Sequence, residues 1–199
     1  MNREMEAAMS GDISDSASSG LQGHRAAQVI RAVVLVAVGV AIAFSAPLHS
    51  QLSFDLWVLG GGLALIGAAT LLEYLALRGS SESWWIAARA VVAFAAAGSL
   101  LAVSDSFTMA LVVALWAALT AVITGMRLVR KTQPAKVAVP SLLLSAGLAV
   151  SVLLFRDDAV AVIGFFGAYA LIRGVFLGIA AFDPRPMADD VISSAEASE

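Results

Sequence analysis

The chain has 199 residues, of which 60% are hydrophobic and 14% are charged, and its mean hydropathy is +0.88. Soluble domains are about half apolar and about a quarter charged, so this composition indicates a membrane protein. The chain has no cysteine, which excludes disulfide bonds, thiolate metal sites and a cysteine nucleophile, and its two histidines, His24 and His49, are too few and too far apart for a zinc cluster.

The net charge of −3 is distributed unevenly along the chain. Residues 1–24 carry −3 and residues 183–199 carry −4, so the segment between them carries +4. Both terminal segments are rich in Ser, Asp, Glu and Ala, and we predict that they are disordered because they lack the apolar surface that offsets the entropy of ordering. We do not expect nucleic-acid binding, since the sequence has no basic stripe interleaved with aromatic residues.

Six apolar runs lie between these two segments, and each is long enough to cross a hydrocarbon core of about 30 Å as a helix of about 20 residues. In chain order they are Ala26–Ser45, Phe54–Leu77, Trp84–Val103, Phe107–Leu128, Val137–Phe155 and Ala159–Phe182. The spacers are short, so neighbouring spans must be antiparallel. The sequence therefore predicts an all-α polytopic membrane protein over residues 25–182, with six transmembrane helices arranged as three antiparallel hairpin repeats.

The first run could also be read as a signal peptide, because the segment from Ala43 to Ala46 resembles a small-residue cleavage site. The residues before it are acidic and rich in serine, whereas a signal peptide begins with a short basic region. Its removal would also leave the second span without its hairpin partner. We therefore favour a membrane span.

Positive charges predict the orientation of the spans. With the N-terminus in the cytoplasm, eleven arginines and lysines lie on the inner side and only Arg156 lies on the outer side. Trp84 and Trp85 then lie at an inner boundary and Trp57 lies near an outer one, where aromatic rings are enriched. We expect a multi-pass protein of the plasma membrane with both termini in the cytoplasm.

Glycine spacing indicates an internal repeat. The paired glycines in successive hairpins are Gly39 with Gly67, Gly98 with Gly125, and Gly147 with Gly174, at separations of 28, 27 and 27 residues. Small residues allow helix backbones to approach closely in lipid, where the hydrophobic effect does not drive association. We predict that these six glycines are helix-packing positions.

The repeat resembles that of the HdeD family of acid-resistance membrane proteins, in which short hairpins carry an early glycine, a short outer turn and an Ile-x-Gly-like segment. The resemblance covers about Arg25 to Phe182. Pro47 matches a proline that often ends the first helix of the family's repeat, whereas Asp105 and Phe155 or Arg156 take its place in the other two hairpins. The resemblance implies an association with acid or envelope stress and no catalytic residue or cofactor, so we expect a non-enzymatic protein.

Ionisable residues within membrane spans are candidate functional residues, and we single out Arg31, Glu73, Arg89 and Arg173. Arg31 and Arg89 lie roughly 6–8 Å inside the inner ends of their spans, where long side chains reach the interface, so we interpret both as interfacial anchors. Arg173 lies deeper, roughly 10 Å from the inner surface. Glu73 lies in the same half of the bilayer, so we predict a polar Glu73–Arg173 pair, shared with Arg89. The alternative is that Arg173 extends inward to the interface and Glu73 is interfacial.

Two further groups lie on the predicted outer loops. His49 with Asp55 could sense acid near about pH 6, although a single loop histidine is usually solvated. Asp157 and Asp158, beside Arg156, are typical of a solvated turn rather than a metal site.

No Walker loop, HExxH, GxSxG or Rossmann motif occurs in the sequence, so neither an enzyme nor a metal or cofactor site is predicted. The second function class left open is a small-solute channel or transporter that uses Arg173 and Glu73 as part of its path. The partners we expect are the lipid bilayer and either a second copy of the chain or another membrane protein.

Overall fold

The computed structural model describes residues 25–45, 47, 49, 51–78, 83–131 and 135–182. The two terminal segments for which we predict disorder, 1–24 and 183–199, lie outside the described residues. Six helices follow one another, and each is long and apolar enough to cross a membrane. They are α1 (Arg25–Phe44), α2 (Leu52–Ala76), α3 (Ser83–Leu100), α4 (Ser106–Val129), α5 (Ala135–Leu154) and α6 (Ala159–Phe182).

The described part of the chain contains no strand, so the all-α prediction with six membrane-length helices is confirmed. In this alternating bundle we call the end where α1 begins and α6 ends the base, and the end where α1 ends and α6 begins the top. Two aspartates at the top fix helix starts. Asp105 accepts hydrogen bonds from the backbone N–H and the hydroxyl of Thr108, both at 2.8 Å. Asp158 accepts from the amides of Val160 and Ala161, in the first turn of α6, at 3.0 and 3.1 Å.

Among α2 to α6, the helix pairs in most extensive contact are α2 with α3 and α4 with α5, rather than the predicted hairpin pairs α3 with α4 and α5 with α6. Helix α1 lies against α6, which brings the first and last helices of the bundle together. Hydropathy does not predict this choice of neighbours, because the faces directed at lipid and at protein are both apolar.

Two of the predicted packing glycines form the contact between α1 and α6. A Cβ atom at Gly39 would lie 2.7 Å from the Gly167 carbonyl oxygen and 2.8 Å from the Leu171 backbone nitrogen. A Cβ atom at Gly174 would lie 2.8 Å from the backbone nitrogen of Val36. The neighbours are backbone atoms that cannot rotate away, so both positions require glycine for this close approach.

The other four predicted glycines differ from this pattern. A Cβ atom at Gly67 would lie 3.2 Å from the ring of Phe94 on α3, and one at Gly125 would make an ordinary contact at 3.7 Å. At Gly98 and Gly147 a Cβ atom would meet no described atom within 4 Å. The packing role predicted for Gly98 and Gly147 is therefore not found among the described residues.

Aromatic side chains fill the space between α4 and α6. Phe166 is fully buried, and the Trp116 ring centroid lies 5.6 Å from those of both Phe166 and Tyr169. The edge-to-face contact between Trp116 and Tyr169 fixes the Tyr169 ring inside the bundle. This contact positions the Tyr169 hydroxyl beside Arg173, one turn further along α6.

Candidate functional site

An ion pair joins α1 to α2 inside the base of the bundle. The Nη1 atom of Arg31 donates to Oε2 of Glu73 at 2.8 Å, and the two side chains are only 7% and 10% exposed. Our interpretation of Arg31 as an interfacial anchor therefore needs correction. Arg31 lies on the buried stripe of α1 that begins at Ala27 and continues through Leu35, Val38 and Ile42, so the helix directs it toward protein.

Arg173 makes its hydrogen bonds to neutral oxygens. Its Nη1 donates to Oγ of Ser145 on α5 at 3.0 Å and to the hydroxyl of Tyr169, one helical turn earlier on α6. Its guanidinium carbon also lies 5.4 Å from the centroid of the Tyr169 ring, within cation–π range. Arg173 is 3% exposed, so it extends into the bundle rather than toward the interface.

The predicted Glu73–Arg173 pair therefore has a different arrangement in the structure. The described ion pair of Glu73 is with Arg31, and the described hydrogen bonds of Arg173 are with Ser145 and Tyr169. Tyr169 could have been found from the sequence, because it lies four residues before Arg173 on one helix face. Ser145 could not, because nothing in the sequence states which face of α5 meets α6.

The structure nevertheless brings the predicted arginines together. Arg31, Arg89 and Arg173 line one cavity of about 10 Å³, which we call the arginine cavity. Its other polar lining residues are Thr70, Thr120 and Tyr169. Glu73 is joined to this group through its ion pair with Arg31. The arginine cavity thus combines residues from α1, α2, α3, α4 and α6 around three guanidinium groups.

A second polar contact lies at the top. Nδ1 of His49 is 2.5 Å from Oδ1 of Asp55, and the two side chains are 4% and 1% exposed. Nε2 of His49 is 3.1 Å from the Ile42 carbonyl oxygen, and the His49 ring lies 5.7 Å from that of Phe54. The solvated-loop interpretation of His49 is therefore wrong, because the imidazole is enclosed between the end of α1 and the start of α2.

The partners of His49 determine where its protons lie. Nε2 also lies 3.3 Å from Oγ of Ser45. A protonated Nε2 donates to the Ile42 carbonyl, whereas an unprotonated Nε2 accepts from the Ser45 hydroxyl. A proton lies between Nδ1 of His49 and Oδ1 of Asp55, because two lone pairs would repel at this distance. Oδ2 of Asp55 is buried and has no hydrogen-bond partner among the described residues. Loss of the shared proton would leave a buried carboxylate that is poorly compensated.

Neither a metal site among the described residues nor a known relative points to a function for this site. The described residues contain no group of three or more histidine and acidic side chains that could hold a metal ion. Comparison of the chain with family models finds no match, and comparisons with curated proteins and with solved structures find none either.

Proposed function

We propose that the protein is a non-enzymatic integral membrane protein that acts in resistance to acid or envelope stress, as the resemblance to the HdeD family implies. The observation that carries this proposal is the buried contact between His49 and Asp55 at one end of the bundle. Histidine is the side chain that ordinarily changes charge between about pH 5 and pH 8, so a buried histidine paired with a carboxylate couples acidity to packing.

The direction of the proposed effect follows from charge. A doubly protonated imidazole donates to Asp55 and to the Ile42 carbonyl and places a positive charge beside the buried carboxylate. A neutral imidazole still donates to Asp55 and can accept at Nε2 from the Ser45 hydroxyl, but it does not balance the carboxylate charge. The charged form should therefore hold the end of α1 to the start of α2 more strongly than the neutral form.

The experiment measures thermal unfolding of the purified chain in detergent at about pH 5 and about pH 8. We expect the wild type to gain stability at the lower pH relative to His49→Gln, which cannot titrate. Asp157→Asn is the matched control, because it removes an exposed carboxylate near the same end. An equal pH response of the wild type and His49→Gln would contradict the proposed acid response.

The same variants test the biological role. In a strain that lacks the protein, the wild type and Asp157→Asn should restore survival in acid, and His49→Gln should not. Full rescue by His49→Gln would show that survival in acid does not depend on the His49–Asp55 contact.

We propose further that the protein lies in the plasma membrane with its base toward the cytoplasm. The asymmetry of Lys and Arg supports this orientation. Because the chain has no cysteine, a single cysteine at position 157 at the top or 131 at the base reports accessibility without background. An impermeant reagent added to intact cells should label the cysteine that replaces Asp157, whereas labelling of the one that replaces Lys131 would reverse the orientation.

The competing candidate is a small-solute channel or transporter. The arginine cavity favours it, because charged residues inside a bundle often mark a substrate path. Flux through proteoliposomes would establish this candidate. Loss of acid survival in the absence of flux would favour the stress role.

A further inference from the structure

The arginine cavity carries more positive than negative charge. Arginine remains protonated in proteins, so Arg31, Arg89 and Arg173 contribute three positive charges. No Asp or Glu among the described residues lines the cavity, and the carboxylate joined to it, Glu73, already accepts from Arg31. Two positive charges within the described bundle therefore lack a described counter-charge. Such an excess is expensive within a membrane unless something negative balances it.

Unused hydrogen-bond donors occur in the same group of residues. The Nε atoms of Arg31 and Arg173 are buried and have no hydrogen-bond partner among the described residues. Arg89, which is half-buried, also lines the cavity. Buried donors are almost always satisfied, by protein, water or an ion, so the Nε atoms of Arg31 and Arg173 lack an acceptor.

The size of the cavity restricts what that acceptor is. A volume of about 10 Å³ open to the centre of a water-sized sphere has room for one water molecule or one monatomic ion. A phosphate group or a lipid headgroup is too large without rearrangement of the helices. A water molecule would accept from the guanidinium groups, but it would bring two donors of its own and no negative charge.

We infer that the arginine cavity binds one small monovalent anion of the size of chloride, held by Arg31, Arg89 and Arg173. A monatomic anion accepts from several donors at once, needs no acceptor in return and supplies a negative charge that the described lining lacks. This inference does not depend on the proposed acid response, since His49 lies at the opposite end of the bundle. It concerns binding and requires no transport.

The test follows thermal unfolding of the full chain in detergent at about pH 7, at equal ionic strength, in the sodium salts of chloride, bromide, phosphate or gluconate. A ligand that binds the folded state raises its stability with a saturable dependence on concentration. Chloride and bromide should raise the midpoint of unfolding in this way, and gluconate and phosphate should not. Identical midpoints in chloride and gluconate would mean that the cavity holds water, which overturns the inference. Stabilisation by phosphate alone would overturn it in favour of a phosphate or headgroup site.

Arg89→Gln tests the cavity directly, because it removes one positive charge without breaking a described hydrogen bond. We expect this variant to bind chloride at least about tenfold more weakly, as measured by the chloride concentration at half-maximal stabilisation. In gluconate it should be more stable than the wild type, because the unbalanced charge is smaller. Arg156→Gln, which removes an exposed arginine at the top, is the control and should leave both quantities unchanged. A chloride response that survives intact in Arg89→Gln would place the anion elsewhere.

Discussion

Replacing Glu73 by glutamine should be among the most damaging polar substitutions in this bundle. At 2.8 Å and an effective dielectric constant of about 20, the Arg31–Glu73 pair attracts by about 6 kcal/mol before desolvation is subtracted. Both side chains are almost fully buried, so screening by solvent reduces this attraction only a little. Loss of one partner of a buried pair costs about 3–5 kcal/mol. Glu73→Gln leaves three arginines around one cavity without their carboxylate, so we expect its loss of stability to lie at the upper end of this range.

The complementary change, Arg31→Gln, should cost less. It leaves Glu73 beside a cavity that still holds Arg89 and Arg173, and these two guanidinium groups compensate part of the carboxylate charge. The free energy of unfolding of the two single variants and the double variant, measured by titration with denaturing detergent in mixed micelles, gives their coupling. We expect a coupling of about 0.5–3 kcal/mol, larger than that of the corresponding cycle for Glu73 and Arg173.

Additive effects of Arg31→Gln and Glu73→Gln would refute this reasoning. A larger coupling of Glu73 with Arg173 than with Arg31 would restore the pairing predicted from the sequence.

Two further predictions concern helix packing and capping. Gly39→Ala should destabilise the fold by about 1–3 kcal/mol in the same denaturation assay, because its Cβ would overlap backbone atoms of α6. Gly98→Ala should be neutral or stabilising, and an equal loss at both glycines would contradict the assigned α1–α6 contact. The hydrogen bond from the Thr108 amide lowers the pKa of the Asp105 carboxyl. The ionised cap therefore stabilises the folded state at pH values above the ordinary pKa of an aspartate. This stabilisation is lost as the pH falls through the lowered pKa, below about pH 4. Asp105→Asn keeps an accepting side chain but cannot titrate, so the advantage of the wild type in thermal unfolding should disappear at acid pH; a constant difference would argue against the ionised cap.

Helix positions could be predicted closely from the sequence. Hydropathy alone predicts Ala159–Phe182, and α6 has the same bounds because Asp158 caps its start. The third span is predicted to end at Val103, but α3 ends at Leu100, after which the amide of Leu101 bonds three residues back to Gly98 in a turn. An apolar run does not distinguish a helix from the apolar turn that ends it.

The sequence predicts a contact between helices only where a polar residue lies on the same helix face as a stripe of apolar residues that the bundle buries. The position of Arg31, four residues before Leu35 and seven before Val38, places it on the buried stripe of α1, and this spacing is visible in the sequence. The partnership of Arg173 with Ser145 is not visible, because it depends on the rotation of α5 against α6. Depth along a helix can be read from residue number, whereas rotation between two uniformly apolar helices cannot.

Helix α1 is held by different forces from its neighbours. The Arg31–Glu73 pair joins it to α2 at the base, and the His49–Asp55 contact joins the chain after it to α2 at the top. Against α6 it makes backbone contacts that tolerate no side chain at Gly39. Packing of small residues and hydrogen bonds holds helices together in lipid, and of these only the polar contacts respond to charge. The polar contacts at the two ends of α1 therefore act on the same interface, between α1 and α2, whereas the contact of α1 with α6 depends on the absence of side chains.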